Sequence, residues 1–235
     1  MKVNLPGGWK LELKRTPSMD VRKNPDASFD KVFFIGLNKT ATTTMYHTAQ
    51  MLGFKVANQT VGEVLSVDWM EEGRFDRLEN YIATAEVFQD VPFSLPGFYK
   101  ELSARYPKAK FVLTLRDTPE QWFNSTVKFH QKQMAKGTFG AELPEDVLYL
   151  YKGWAATFAK YAFQYPEVPQ KDKNHYIAVY NQHHADVLAH FNSQPERLLV
   201  LNAAEQGALH QLLDFLEISY DSAKTPANFA QYKKT

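Results

Sequence analysis

The sequence predicts an α/β protein in which helices lie on both faces of a mostly parallel central sheet. Three apolar runs, rich in β-branched and aromatic residues, lead to this prediction: Lys31–Gly36, Lys110–Leu115 and Arg197–Leu201. Short continuous apolar runs are typical of strands buried on both faces, as in parallel sheets. Longer segments with helical spacing separate them, and this alternation indicates a three-layer α/β/α fold.

The predicted strands divide the chain into an arm and one domain. Residues 1–30 are polar and interrupted by prolines, so we expect an irregular arm with a short strand near Trp9–Leu13. The first buried strand starts at Lys31, and Ala85–Phe88 predicts a short strand that ends before Pro92. We therefore treat residues 31–235 as a single domain.

Glycine and proline mark the ends of the predicted helices. Gly53 suits the end of the first helix because glycine readily adopts a left-handed backbone. Pro107 stops a helix that begins near Gly97, and Pro119 opens the next because its ring fits the first helical turn. The predicted helices cover residues 43–52, 68–83, 97–105, 119–136, 173–191 and 209–216, with another starting at Pro144.

Composition excludes several classes of function. The chain has 235 residues, 44% of them hydrophobic, and a formal net charge of +1, so no global field would attract nucleic acid or an anionic membrane. It has no cysteine, which excludes disulfides and thiolate metal sites. Neither a signal peptide nor an apolar stretch long enough to span a membrane is present. We expect a cytoplasmic protein with no nucleic acid partner and no membrane span.

The segment after the first buried strand has the composition of a phosphate-binding turn. A helix N-terminus presents unpaired N–H groups and a partial positive charge, and an anion binds there readily. Lys39 adds a full charge, and the threonines add hydroxyl donors. The spacing is not that of a Walker A turn, which needs a second glycine directly before the lysine. The candidate phosphate ligands are Asn38, Lys39, Thr40, Ala41, Thr42, Thr43 and Thr44.

A second candidate phosphate site follows the strand at Lys110–Leu115. Arg116 ends this strand, and its planar guanidinium can hold a phosphate through two parallel hydrogen bonds. Ser125 lies on the following helix, nine residues later, and Asn124 lies one position closer. Either side chain could complete the site.

These two segments together resemble the nucleotide motifs of sulfotransferases that use 3′-phosphoadenosine 5′-phosphosulfate (PAPS). Residues 39–43 resemble the family's 5′-phosphosulfate loop, K-[ST]-G-T-T, with Ala41 in place of the glycine. We expect this replacement to be mild, because alanine is costly only where φ is positive. Residues 116–125 resemble the 3′-phosphate motif R-[DN]-P-x5-S with one additional residue. Looser similarities at residues 89–92, 106–117, 180–200 and 212–228 extend the resemblance over about residues 31–229.

The resemblance implies a P-loop NTPase-like fold and a PAPS-dependent reaction that needs no metal. A sulfuryl group would pass from PAPS to a hydroxyl or amine, releasing adenosine 3′,5′-bisphosphate, with Lys39 stabilising the leaving group. Sulfotransferases place the general base in the loop that here carries Asp90, so Asp90 is the candidate base. His130 and Lys132 are the next candidates. Asp90→Ala should then abolish turnover while nucleotide affinity survives.

The acceptor and two alternative functions remain open at the level of sequence. We expect a small-molecule, glycan or lipid acceptor, selected by loops near residues 58–75 and 130–145. The sequence predicts neither a monomer nor an oligomer. His183, His184 and His190 do not predict a metal site, because adjacent histidines point to different helix faces. The alternatives are a nucleotide kinase or other P-loop phosphotransferase, and a sulfotransferase-like module that binds nucleotide without turnover.

Overall fold

The computed structural model describes residues 2–5, 9–12, 21–135, 150, 153–168 and 172–230. The strands are β1 (Lys2–Leu5), β2 (Trp9–Glu12), β3 (Val21–Arg22), β4 (Val32–Phe34), β5 (Val87–Phe88), β6 (Lys110–Leu115), β7 (Leu198–Asn202) and β8 (Ser219–Tyr220). The α-helices are α1 (Thr42–Met51), α2 (Gln59–Glu72), α3 (Asp76–Ile82), α4 (Phe98–Arg105), α5 (Pro119–Ala135), α6 (Trp154–Phe163), α7 (Lys173–Phe191) and α8 (Ala208–Phe215).

The central sheet has four parallel strands in the order β5-β4-β6-β7. From β4 the chain first pairs with β5 on one side and later returns to place β6 on the other. The boundary between β4 and β6 is therefore a topological switch point, where the carboxyl ends of the strands open a crevice that commonly binds ligands. The loops that follow β4 and β6 border this crevice.

Strand residues alternate between two cores, one on each face of the sheet. Phe33 and Ile35 point into a large aromatic core formed with α2 to α7, whereas Val32 and Phe34 point into a smaller core formed with α1 and α8. Residues that follow one another in a strand point to opposite faces, so both faces here are apolar. The structure confirms the predicted three-layer α/β/α fold.

The region after α1 differs from the sequence prediction. We predicted one helix over residues 68–83 and a loop over 58–75, but α2 begins at Gln59 and a separate α3 begins at Asp76. The side chain of Asn58 accepts a hydrogen bond from the N–H of Val61 and so caps α2, and Gly73 ends it with φ of 68°. The capping residues, rather than apolar periodicity, set these boundaries.

The segment 1–30 also contains strands that we predicted only in part. β1 and β2 pair as antiparallel strands, and β2 coincides with the predicted short strand. β3 pairs antiparallel with β8, almost 200 residues later in the chain. Only the folded chain brings that partner near, so the sequence did not predict β3. The first part of the helix predicted from Pro144 lies outside the described residues, and the described helix α6 begins at Trp154. None of the described helices is both long and apolar enough to cross a bilayer.

Candidate active site

The turn between β4 and α1 exposes backbone donors at the carboxyl edge of the sheet. Ala41 is the N-cap of α1 and provides no side-chain cap, and the N–H groups of Thr44 and Met45 both bond to its carbonyl oxygen. The first two N–H groups of α1, on Thr42 and Thr43, have no carbonyl acceptor within the helix. The turn therefore offers the donors and partial positive charge that bind an anion.

The backbone of this turn is left-handed at two non-glycine residues. Lys39 has φ of 75° and Ala41 has φ of 78°. A side chain in this region costs about 1–2 kcal/mol relative to glycine. Our expectation that alanine is mild at position 41 was therefore wrong: the family's glycine suits a positive φ that Ala41 also adopts. Such strain is often found at functional sites.

Gly36 lets β4 and β6 approach each other where the turn begins. A Cβ at Gly36 would lie 2.7 Å from the backbone nitrogen of Thr114, and closer still to the carbonyl and hydroxyl oxygens of that residue. The φ of Gly36 is not positive, so a left-handed backbone is not what requires a glycine here. Close contact between the strands is the reason for this glycine.

The threonine hydroxyls of the turn divide into two groups. Thr40 is fully buried, and its hydroxyl donates to the carbonyl oxygen of Leu37 and meets the hydroxyl of Thr114 at 2.6 Å. The hydroxyl of Thr42 donates to Asp90 at 3.2 Å. These two side chains stabilise the turn itself. Thr43 and Thr44 are only partly buried, so their hydroxyls are the better candidates for contact with a ligand.

Asp90 connects the end of β5 to the turn between β4 and α1 through hydrogen bonds. It follows β5 by two residues, is buried, and has φ of 64°. Its Oδ1 accepts hydrogen bonds from Asn38 Nδ2 at 2.6 Å and from the N–H of Val91 at 3.0 Å. The Asn38 Oδ1 accepts from the hydroxyl of Ser94 at 2.6 Å. Asp90 thus lies beside the turn and holds it in shape, while its role as the base stays a prediction.

Lys39 extends from the turn towards α5. Its Nζ lies 4.0 Å from the centroid of the Phe129 ring, which is a cation–π geometry. Phe129 lies four residues after Ser125, so both residues are on the face of α5 that Lys39 meets. Ser125 is partly buried there, whereas Asn124 is exposed. The geometry therefore favours Ser125 over Asn124 as the partner of Arg116.

Arg116 joins the end of β6 to the same turn. Its Nε donates to the carbonyl oxygen of Lys39 at 2.7 Å. Asp117 does not pair with it directly: hydrogen bonds from Asn202 and Gln121 engage that carboxylate and hold its pKa below the usual range. Among the described residues, none engages the two Nη groups of Arg116. They are the part of the guanidinium that could hold a phosphate.

The histidines considered as metal ligands have other roles. His183 bonds to the carbonyl oxygen of Ile35, His190 bonds to Ser103, and the ring of His184 packs against Tyr180 at 3.9 Å. Within the described ranges, no three histidine or acidic side chains cluster as a metal site would require. The side chains of His130 and Lys132 lie outside what the structure describes.

Sequence reasoning missed several residues that support this site. The Trp122 Nε1 donates to the carbonyl oxygen of Asn38 at 2.8 Å, and the hydroxyl of Tyr180 accepts from the N–H of Arg116 at 3.0 Å. From the sequence, we assigned neither residue to the site. Polar atoms on those buried aromatic residues were the available signal, since buried hydroxyl and indole groups need hydrogen-bond partners.

The fold and this edge of the sheet define the class of protein. Phosphate-type donors follow β4, Asp90 follows β5 and Arg116 follows β6, all at one switch point of a P-loop-like α/β fold. A family model described as a sulfotransferase domain matches residues 31–229. The chain belongs to this sulfotransferase family. No curated protein matches the chain in sequence.

Proposed function

We propose that this protein transfers the sulfuryl group of PAPS to a hydroxyl or amine of an acceptor and releases adenosine 3′,5′-bisphosphate. The observation that carries the proposal is the bond from Arg116 Nε to the Lys39 carbonyl, which joins the two phosphate-type motifs in one crevice. Two phosphate-type sites held together suit a nucleotide phosphorylated at both its 5′ and 3′ positions. A nucleoside triphosphate would not need the second site.

The residues of the crevice suit the chemistry of sulfuryl transfer. The S–O bond to the 5′-phosphate breaks, a bond from sulfur to the acceptor oxygen or nitrogen forms, and the acceptor loses a proton. Lys39 and the first N–H groups of α1 would stabilise the charge that develops on the leaving phosphate. Fixed donors and correct positioning supply most of the rate enhancement in such reactions. No step requires a metal, so we propose a reaction without one.

Asp90 is the proposed acceptor of the proton. Its contacts with Asn38 and Thr42 of the turn support this role, because a sulfuryl group held by the turn would lie near the carboxylate. Proton transfer to a positioned carboxylate contributes roughly 10²–10⁴-fold to a rate. We further propose that the acceptor is a small molecule, a glycan or a lipid. We also propose that the reaction takes place in the cytoplasm and that the protein has no nucleic acid partner.

Thermal unfolding with added nucleotide tests this function. Adenosine 3′,5′-bisphosphate at about 100 times its dissociation constant should stabilise the protein by ~2.7 kcal/mol. For a chain of this length, that corresponds to a rise in Tm of about 5–11 °C. The rise should persist in the presence of a chelator, and ADP should produce less. A rise only with ATP and Mg²⁺ would instead support the nucleotide kinase alternative.

Two lysine variants locate the effect. Lys39→Ala should lose most of the Tm rise, because it removes the charged side chain of the turn. Lys108→Ala is the control: Lys108 is exposed and precedes β6, at the opposite edge of the sheet. Equal Tm rises in both variants would contradict the assignment of Lys39. Binding of the bisphosphate without transfer to any acceptor in a PAPS screen would favour the non-catalytic module.

A further inference from the structure

One face of α7 contacts the two strand ends at which the candidate site begins. The hydroxyl oxygen of Tyr180 accepts the N–H of Arg116 at 3.0 Å, directly after β6. The Nε2 of His183 lies 2.8 Å from the carbonyl oxygen of Ile35, one residue before Gly36. The two side chains are three residues apart and therefore share a helix face. A single rigid element thus reaches both strands at the switch point.

The bond made by His183 has a fixed direction. A carbonyl oxygen can only accept, so Nε2 carries the proton and donates it to Ile35. Burial of His183 lowers the pKa of its imidazole, which keeps the ring neutral. Its Nδ1 is buried, and no described group forms a hydrogen bond with it. A buried unpaired nitrogen costs free energy. The hydrogen bond from Nε2 to Ile35 is therefore the polar contact through which His183 supports the site.

Tyr180 is held in place by its own neighbours. Its ring stacks on Trp122 with 4.8 Å between centroids, and Trp122 in turn donates to the carbonyl of Asn38 in the turn. Arg116, whose N–H bonds to Tyr180, donates through its Nε to the carbonyl of Lys39. The positions of β6, α5 and the turn therefore all depend on this face of α7.

We propose that Tyr180 and His183 are positioning residues that fix the two phosphate-binding halves of the site relative to each other. Tyr180 orients the Arg116 half, and His183 orients the half that begins at Gly36. The ligand assigned to each half rests on the proposed function: the 3′-phosphate to Arg116 and the 5′-phosphate to the turn. Loss of one support should therefore affect one end of the nucleotide selectively.

The Tyr180→Phe variant tests the Arg116 half. It removes the hydroxyl acceptor and keeps the ring that stacks on Trp122. Affinity for adenosine 3′,5′-bisphosphate should fall about tenfold, while affinity for AMP, which lacks the 3′-phosphate, should stay within twofold. The matched control is Tyr99→Phe. Tyr99 is equally buried, and no described group hydrogen-bonds to its hydroxyl, so both affinities should stay as in the wild type.

A pair of His183 variants tests the other half. His183→Gln keeps an N–H near the position of Nε2, whereas the shorter His183→Asn withdraws it from Ile35. The Asn variant should lose about tenfold in affinity for both the bisphosphate and AMP, with their ratio unchanged. The Gln variant should recover most of that loss. Loss of the buried imidazole by itself would not reproduce this pattern, because that loss is common to the Gln and Asn variants and only the donor near the position of Nε2 differs.

The outcomes separate this inference from the proposed function. If the wild type binds neither nucleotide, the proposed function fails and this inference fails with it. If the wild type prefers the bisphosphate and Tyr180→Phe keeps the full preference, the role of Tyr180 is overturned while the proposed function stands. Wild-type affinities in His183→Asn would overturn the role of His183 in the same way.

Discussion

Asp90 has one observed role and one proposed role in the candidate site, and the two roles predict different kinetics. As a base it would take a proton from the acceptor; as a structural acceptor it holds Asn38 and Thr42 of the turn. From the sequence we expected nucleotide affinity to survive its replacement. The hydrogen bonds observed here change that expectation, because losing the carboxylate also loosens the turn.

Asp90→Asn should reduce kcat far more than it reduces nucleotide affinity. We expect a loss of roughly 10²–10⁴ in turnover from the missing base, and less than tenfold in affinity from the weakened turn. Steady-state kinetics with PAPS, together with titration of the bisphosphate, measure both. Ser94→Ala is the control, since it removes the donor to Asn38 and leaves Asp90 in place. Equal losses in kcat and affinity for Asp90→Asn would contradict the role of Asp90 as the base and leave only its support of the turn.

Ala41→Gly should stabilise the protein, against the usual effect of glycine. Relief of the left-handed strain is worth about 1–2 kcal/mol, and the added freedom of the unfolded chain offsets about 0.4–1 kcal/mol of it. A net gain of about 0.5–1 kcal/mol should raise the Tm by about 1–4 °C. Ala185→Gly, at an exposed position within α7, should instead cost about 1 kcal/mol. If both variants lower the Tm equally, position 41 is not strained.

At the scale of single elements, α5 separates the two candidate partners of Arg116. Ser125 is on the helix face that carries Phe129 and meets Lys39, and Asn124 is exposed. The resemblance to the family motif pointed to Ser125, with one extra residue in the loop before the helix, and left Asn124 as the alternative at the shorter spacing. Helical geometry puts the two side chains in different surroundings, since neighbouring residues differ by about 100° around the axis.

Ser125→Ala should weaken binding of adenosine 3′,5′-bisphosphate and spare that of AMP. One hydrogen bond to a charged group contributes ~1.5 kcal/mol, which is about tenfold in the dissociation constant. Asn124→Ala should leave both constants unchanged. Isothermal titration of the three proteins with both nucleotides provides the comparison. The reverse pattern would assign the 3′-phosphate to Asn124.

At the scale of the whole molecule, Glu217 joins β6 to a segment that is far away in the sequence. Its carboxylate accepts from Lys110 Nζ of β6 at 2.7 Å and from the N–H of Ser28 at 2.9 Å, and it also bonds to the Ser28 hydroxyl. These hydrogen bonds lower the pKa of Glu217 to about 2. A lowered pKa in the folded protein adds stability above the ordinary pKa of glutamate, and this stability is lost as the pH falls towards 2.

Glu217→Gln should therefore destabilise the protein at neutral pH and not in acid. With discount for its partial exposure, we expect a loss of about 1–2 kcal/mol at pH 7, or roughly 2–8 °C in Tm. The difference from the wild type should shrink between about pH 4.5 and 2, where the wild-type carboxylate becomes protonated. Glu167→Gln, at an exposed residue without a described hydrogen bond, should match the wild type throughout. A constant difference across this pH range would contradict the ion-pair explanation.

The sequence by itself determined the layered fold and the two phosphate-type motifs, because both depend on local patterns. Buried parallel strands need continuous apolar runs, and an anion-binding turn needs a lysine and hydroxyls before a helix. Those patterns are contiguous at residues 31–44 and 110–125, and the match of residues 31–229 to a sulfotransferase domain agrees with them.

Only the tertiary structure decided what depends on distant partners. Gly36 is required by Thr114 across the sheet, Tyr180 and His183 support strand ends at Arg116 and Ile35, and β3 finds its partner in β8. Positive φ at Ala41 likewise comes from the geometry of the turn and not from the residue. Local patterns reflect periodicity and propensity. These contacts join residues that are far apart in the sequence, and local patterns do not show that such residues are close in space.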